Sequence, residues 1–301
     1  MTNQTLIINS GHERSIHSLS WNSKDVLASG SGDTTIRTWY FTNSQSFVCD
    51  KVFTGHSGSI DQLCWSEQNP NLLASASSDR TVGIWDINSS QNLEYINTPG
   101  QNINISWSPD GNTIAVVNKA NLISFIDTRN WKIIKSRQWK IEVNEVSWDR
   151  SGRAFFITTG RGTIEILSST TFEKIKKLKS NSKNCFCLDF DKNGKYFAVG
   201  GADSLVTIWD VNSLICLRSI PVLENAVRAV KFSNDGKFIA SGSEDYTIDI
   251  SSLEDETNSQ QIKQNGSLNS IDWHPKRHLL AHAGHEKNDQ WRLIIRLTNF
   301  D

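Results

Sequence analysis

The chain has 301 residues, with 31 Lys+Arg against 32 Asp+Glu and a formal net charge of -1, so no global field draws it to nucleic acid or an anionic membrane. Its 37% hydrophobic content, which includes 11 Trp and 13 Phe, is too high for a disordered chain and sufficient for a packed core. No stretch approaches the ~18 apolar residues of a membrane span. Residues 1–15 lack the basic-then-apolar order of a secretion signal, which together predicts a soluble intracellular protein. Five scattered cysteines (Cys49, Cys64, Cys185, Cys187, Cys216), with no C-x-x-C pair, read as reduced thiols rather than a disulfide or zinc framework.

In chain order, Thr5 to Asn9 reads as an outer strand with no inner strands before it. An aromatic landmark then recurs at Trp21, Trp65, Trp107, Trp148, Phe190, Phe232 and Trp273, with gaps of 44, 42, 41, 42, 42 and 41. Each landmark ends a strand and is followed by a polar turn, for example Ser108-Pro109-Asp110-Gly111 and Asp191-Lys192-Asn193-Gly194. A short apolar strand follows (Leu27 to Gly30, Leu73 to Ala76, Phe238 to Ser241), then an Asp-centred turn and a β-branched strand such as Thr81 to Trp85. A more polar fourth strand closes the unit, as at Leu93 to Ile96, Lys132 to Ser136, Lys174 to Leu178 and Cys216 to Ile220.

The length prior of about 150 residues per domain suggests two domains, but it yields to the repeat. Four-stranded units of about 42 residues bury their faces by stacking radially. The expectation is an all-β, seven-bladed β-propeller forming a single domain over residues 1–301, its ring closed by the N-terminal strand joining the last blade. In the seventh repeat, extra residues around Glu286 to Gln290 obscure the third strand.

Gly11-His12 and Gly55-His56 ahead of first strands, with Trp85-Asp86 and Trp209-Asp210 ending third strands, resemble the WD40 signature. The resemblance implies a hydrogen-bonded structural tetrad, matched here by His12, Ser29, Asp33, Trp39 and by His56, Ser75, Asp79, Trp85. Other blades depart from it. Val199 stands at the serine position of blade five, Ser251 at the tryptophan position of blade six, and Ile126 and Leu167 there in blades three and four, which predicts reliance on packing instead.

Further stretches are similar to one WD40 family, THO complex subunit 3. They include Asp61 to Trp65, Asn102 to Ile105, Glu142 to Trp148, Gly194 to Ala198, Ala202 to Val206 and Trp273 to Arg277. The similarity implies a non-enzymatic nuclear scaffold of the THO and TREX assemblies in mRNA processing and export. It would dock on larger THO-complex subunits, with RNA reached through them. The alternative is another WD40 adaptor, a histone-peptide reader or a ubiquitin-ligase substrate receptor, using the channel mouth.

Two surfaces are candidates for binding. In WD40 propellers the residue four places before the landmark points to the mouth of the central channel, giving His17, Asp61, Ile103, Asn144, Phe186, Arg228 and Asn269. That set would offer a Phe186 anchor and an orienting charge pair, Asp61 and Arg228. The second is a basic rim of Lys132, Lys135, Arg137 and Lys140 near blade three and Lys174, Lys176, Lys177, Lys179 and Lys183 near blade four. Interleaved Trp131 and Trp139 would be able to stack on bases there, although lysines on outer strands ordinarily guard exposed edges.

No metal, cofactor or catalytic residue is expected. His278, His282 and His285 have helical ligand spacing but fall in a strand, which separates the first two by roughly 13 Å. There is no nucleophile elbow and no P-loop; Gly30-Ser31-Gly32 is a turn. The pair Glu142 and Glu145 reads as solvent-facing acids at a strand end.

Overall fold

The computed structural model describes residues 5–42, 46–89, 91–221, 223–255, 258–264, 266–286 and 294–299; the side chains of 285, 286 and 294–299 lie outside the description. After β1 (Thr5–Asn9), blade one comprises β2 (Ile16–Trp21), β3 (Leu27–Ser31), β4 (Ile36–Phe41) and β5 (Phe47–Phe53). Blade two comprises β6 (Ile60–Trp65), β7 (Leu72–Ser77), β8 (Thr81–Asp86) and β9 (Gln91–Asn97). Blade three has β10 (Asn102–Trp107), β11 (Thr113–Asn118), β12 (Leu122–Asp127) and β13 (Lys132–Gln138). Blade four has β14 (Val143–Trp148), β15 (Ala154–Thr159), β16 (Thr163–Ser168) and β17 (Lys174–Lys179). Blade five follows with β18 (Cys185–Phe190), β19 (Tyr196–Gly201), β20 (Val206–Asp210) and β21 (Cys216–Ile220). Blade six has β22 (Val227–Phe232), β23 (Phe238–Ser243), β24 (Thr247–Ser252) and β25 (Ser259–Lys263). The chain ends with β26 (Gly266–Trp273), β27 (Leu279–Glu286) and β28 (Ile294–Asn299).

The seven repeats are not seven equivalent blades, and the reading of each repeat as its own four-stranded unit needs that correction. Six sheets are antiparallel meanders of four consecutive strands; the remaining sheet, ordered β1-β28-β27-β26, is assembled from both chain ends. The last repeat supplies only three strands, and β1 pairs with β28 from Thr5↔Thr298 to Asn9↔Ile294. The extra residues suspected at Glu286 to Gln290 fall, beyond Glu286, outside the described residues.

Alternation explains why the sheets stack. Second and third strands are buried on both faces, as in β11 (Thr113 to Asn118) and β16 (Thr163 to Ser168), whereas outer strands such as β13 and β17 are exposed along most of their length. The core lies between blades. Val143, Val146 and Trp148 of blade four pack with Ala115, Val117 and Phe125 of blade three, and Ile16, Leu19 and Trp21 of blade one pack with Leu279, Ala281 and Ala283. The turn after the second strand places Thr34, Arg80, Asn121, Gly162, Ser204 and Tyr246 at positive φ. At Gly162 (φ 70°) a Cβ would fall 2.2 Å from the Asn181 carbonyl, so the close approach of that chain requires glycine.

Side chains of the innermost strands stitch six of the seams between successive blades. Three places before the landmark, Ser18 Oγ accepts the Leu63 N–H (3.0 Å) and Gln62 Oε1 that of Ile105 (2.6 Å). Asn104 Oδ1 accepts from Val146 (3.0 Å), Glu145 Oε2 from Leu188 (2.8 Å) and Ser270 Oγ from Leu19 (2.9 Å). One place before the landmark, Asp189 accepts from Phe232 N–H (2.9 Å) and Asp272 from Trp21 N–H (2.7 Å). First-strand N–H groups would otherwise face the channel without a sheet partner, so the acceptors satisfy them and fix the blade register.

Candidate functional site

Four surfaces or networks carry the polar chemistry: the inter-strand tetrads, the channel interior, its mouth and the outer rim. In blade two, His56 Nδ1 lies 2.8 Å from Asp79 Oδ2, His56 Nε2 2.7 Å from Ser75 Oγ, and Trp85 Nε1 donates to Ser75 Oγ at 2.8 Å. Blade one repeats this with His12, Asp33, Ser29 and Trp39 at 2.8, 2.8 and 3.0 Å. Burial lowers the His56 pKa against the pull of Asp79. Burial raises that of Asp79, but hydrogen bonds from Thr81 and His56 and the adjacent imidazole outweigh it and the net shift is downward. A neutral imidazole beside a carboxylate assigns the proton to Nδ1, so the chain of donors runs from indole through hydroxyl to Nε2. Gly83 lies opposite Ser75, where a Cβ would sit 2.8 to 2.9 Å from Ser75, Trp85 and His56 atoms; the tetrad needs that space.

The departing blades do not fall back on packing alone. In blade five Val199 pairs with Thr207, and Thr207 Oγ1 takes over the missing serine's work, accepting from Trp209 Nε1 (3.0 Å) and bonding Ser180 Oγ (2.8 Å). Asn181 replaces the histidine and donates to Asp203 Oδ1 (2.8 Å). In blade four, buried Glu165 occupies the slot matching Thr207, accepting from Trp139 Nε1 (3.1 Å) and pairing with Lys174 (2.8 Å). In blade six, Asp249 stands in that slot and accepts from Ser251 Oγ (2.5 Å). The signal for these substitutes was a polar residue two places before the third-strand landmark.

The channel interior holds Glu145, Asp189, Lys231 and Asp272, beside a cavity of about 160 Å³ that Glu145, Asp189 and Lys231 help to line. Lys231 Nζ contacts Asp189 at 3.0 Å. Glu145 therefore faces the channel and bonds the next blade; it is not a solvent-facing partner of Glu142. Burial lifts its carboxyl to about 7 against the Lys231 charge, and that of Asp272 to about 6 for the same two reasons. A raised folded pKa means that ionisation opposes folding, so Glu145 costs stability as pH rises from about 4.5 to about 7. Gln62 performs the same bridging without charge. Glu145→Gln is therefore expected to raise Tm by roughly 2–3 °C at pH 8 and to leave it unchanged near pH 4.5; thermal melts at both pH values check this, and equal shifts at both would refute it.

At the mouth, a cavity of about 380 Å³ is lined by His17, Asp61, Ile103, Arg228 and Asn269, together with Glu244 and Leu268. Arg228 does not pair with Asp61. It forks onto Glu244 (2.6 Å) and lies 3.9 Å from the Phe186 ring centroid, because both partners sit beside it while Asp61 is held by Ser59 (2.9 Å). Asn144 and Asn269 donate across blade seams to the carbonyls of Cys185 and Ile16, both at 2.8 Å. Burial lowers the His17 pKa and raises that of Asp61, each partly offset by the other.

On the rim, the base-stacking reading fails. Trp139 is buried on Glu165, and Trp131, at φ 57°, packs edge-on to Trp107 with centroids 6.4 Å apart. Two cations of blade three fasten it to blade four, Lys135 donating to Thr171 O (2.8 Å) and Arg137 to Phe172 O, while Lys179 donates within blade four to Arg161 O (3.0 Å). Lys174 and Lys177 reach Glu165 at 2.8 and 4.0 Å. Lys132 and Lys176 are exposed on the outer strands, with Lys140 just beyond β13. His282 is buried, His278 pairs with Asp235 (2.8 Å), and the His285 side chain lies outside the described residues. Among the described residues no cluster of three or more His, Cys, Asp or Glu is placed to hold a metal ion.

Blades of four antiparallel strands, radial seams and two Asp-His-Ser-Trp tetrads define a WD40 β-propeller. The family model described as the THOC3 beta-propeller domain matches residues 12–283, and the chain belongs to that family. It is 40% identical to THO complex subunit 3 of Arabidopsis thaliana over 296 residues, which cover 97% of this chain and 94% of that protein. WD repeat-containing protein AAC3 of Dictyostelium discoideum is 32% identical over 91% of this chain and 62% of its own length. Pre-mRNA-processing factor 19 homolog 2 of Arabidopsis thaliana is 22% identical over 83% of this chain and 49% of its own length.

Proposed function

We propose that the chain is a non-enzymatic protein-interaction scaffold, a subunit of a THO/TREX-type complex that couples transcription to mRNA processing and nuclear export. The observation that carries this is the 40% identity to a THO complex subunit 3 across nearly the full length of both proteins. The polar chemistry agrees with it: the His-Ser-Asp sets are consumed in blade tetrads. In this reading residues 1–301 act as one propeller unit in the nucleus, larger subunits dock on its surfaces, and RNA reaches it through them. The channel mouth, with Phe186 stacked under Arg228, is one proposed contact face.

A pull-down of the tagged protein from nuclear extract at mild salt, with and without RNase, tests the reading. THO-type subunits are expected in both samples. Their absence, with histones or ubiquitin-ligase components in their place, would move the function to another class of WD40 adaptor; their loss after RNase would make RNA the tether.

A further inference from the structure

The outer strands of five successive blades share an irregularity. In β5, β9, β13, β17 and β21 the pairing slips by one residue opposite the third-strand landmark, leaving Asp50, Leu93, Ile134, Ile175 and Leu217 as the extra residue of a bulge. The pairing of β25 in blade six has no such slip. A bulge that merely blunts an edge tolerates a polar side chain, as Asp50 shows. In blades two to five it instead displays Leu93, Ile134, Ile175 and Leu217, which are 47%, 55%, 62% and 54% exposed. Exposed Ile133 and Ile215 flank them. Isolated exposed aliphatics are ordinary, but the same bulge position filled this way in four consecutive blades makes a repeating apolar arc.

Positive charge concentrates on the part of that arc formed by β13 and β17, whereas Leu93 in β9 sits beside Glu94. Strands β13, β17 and β21 carry three, four and one Lys or Arg and no Asp or Glu, in a chain whose net charge is -1. We propose that the rim of blades three to five, centred on Ile134, Ile175 and Leu217, docks an acidic amphipathic segment of a partner protein. The apolar side chains of that segment seat on the bulge residues and its carboxylates lie over the flanking lysines. Recognition runs through side chains, because bulges and lysines obstruct strand addition at these edges. The apolar arc favours a polypeptide over RNA, since of the aromatic side chains flanking β13, Trp139 is buried and Trp131 is half-buried edge-on to Trp107. The proposal deepens the scaffold reading and rests on it for the existence of a partner.

The test uses the full-length tagged protein with the triple variant Ile134→Glu, Ile175→Glu, Leu217→Glu, and Ser259→Glu, Gln260→Glu on exposed β25 as the charge control. The triple variant is expected to keep the wild-type Tm and to recover at least tenfold less THO-type subunit than wild type or the control. In parallel, p-benzoylphenylalanine placed singly at Ile175 is expected to cross-link, after RNase, to an acidic amphipathic peptide of a co-purifying protein. Undiminished recovery by a folded triple variant, or a cross-link to RNA or to a basic segment, would overturn the proposal. If wild type recovers no THO-type subunit yet Ile175 cross-links to an acidic segment of another protein, the scaffold assignment fails and the rim proposal stands. Full THO recovery by the triple variant gives the converse.

Discussion

Deleting residues 1–10 is expected to lower Tm by about 10 °C and to make the protein aggregate at micromolar concentration. The deletion removes β1, whose five residues pair with β28, and with it Ile8, which is buried among Ile16, Leu19, Trp21 and Leu279. What remains is the sheet β26-β27-β28 with a bare outer edge. The opposite flank of that sheet is the seam where Leu19 and Trp21 donate to Ser270 and Asp272. A loss on the order of 3–5 kcal/mol follows from the lost burial and ladder bonds together. Differential scanning calorimetry with light scattering measures it, and a truncated protein that melts with the wild type would show that the chain ends do not fasten the ring.

The second large effect belongs to the tetrads. Ser75→Ala is expected to cost about 2–4 kcal/mol, because it strands both the Trp85 indole N–H and His56 Nε2 in a dry seat while removing a single hydroxyl. Thr207→Val in blade five is expected to cost a comparable amount, since Thr207 accepts from Trp209 in the same way. The tetrad also sets a pH limit. The folded pKa values of His56 and Asp79 are both below their ordinary values, so each contributes stability that is present at neutral pH and lost on acidification, the imidazole below about 6.5 and the carboxylate below about 4. Urea unfolding at pH 7.5 checks the substitutions; a cost below about 0.5 kcal/mol for Ser75→Ala would mean the hydroxyl is not the hub of the network.

The repeat was legible because an aromatic landmark followed by a Gly-containing turn marks most first strands, and the strand alternation between landmarks is regular. The two full tetrads were legible through the WD40 resemblance: the histidine stands nine places before each landmark, and serine, aspartate and tryptophan keep spacings of four and six among themselves. The substitutes were legible only in part. Thr207 does the work of a serine from the opposite strand, and Trp139 reaches Glu165 from the strand connection preceding blade four. A polar residue two places before the third-strand landmark marks both positions, but which group it bonds depends on what faces it across a sheet or a seam, and spacing within one repeat does not encode that partner. The same holds for Glu145, whose neighbour in sequence, Glu142, suggested an exposed acid pair, while its partners are Leu188 of blade five and Gln62 of blade two. The choice of Glu244 over Asp61 by Arg228 is likewise a matter of reach within the folded mouth.

The proposed function places this propeller inside a larger protein assembly held by protein surfaces. Native mass spectrometry of the endogenously tagged protein, purified at mild salt and treated with RNase, tests it most directly. A stable species well above the 33.8 kDa of the chain is expected, releasing THO-type subunits on activation. A single species at 33.8 kDa from the same RNase-treated extract would contradict it.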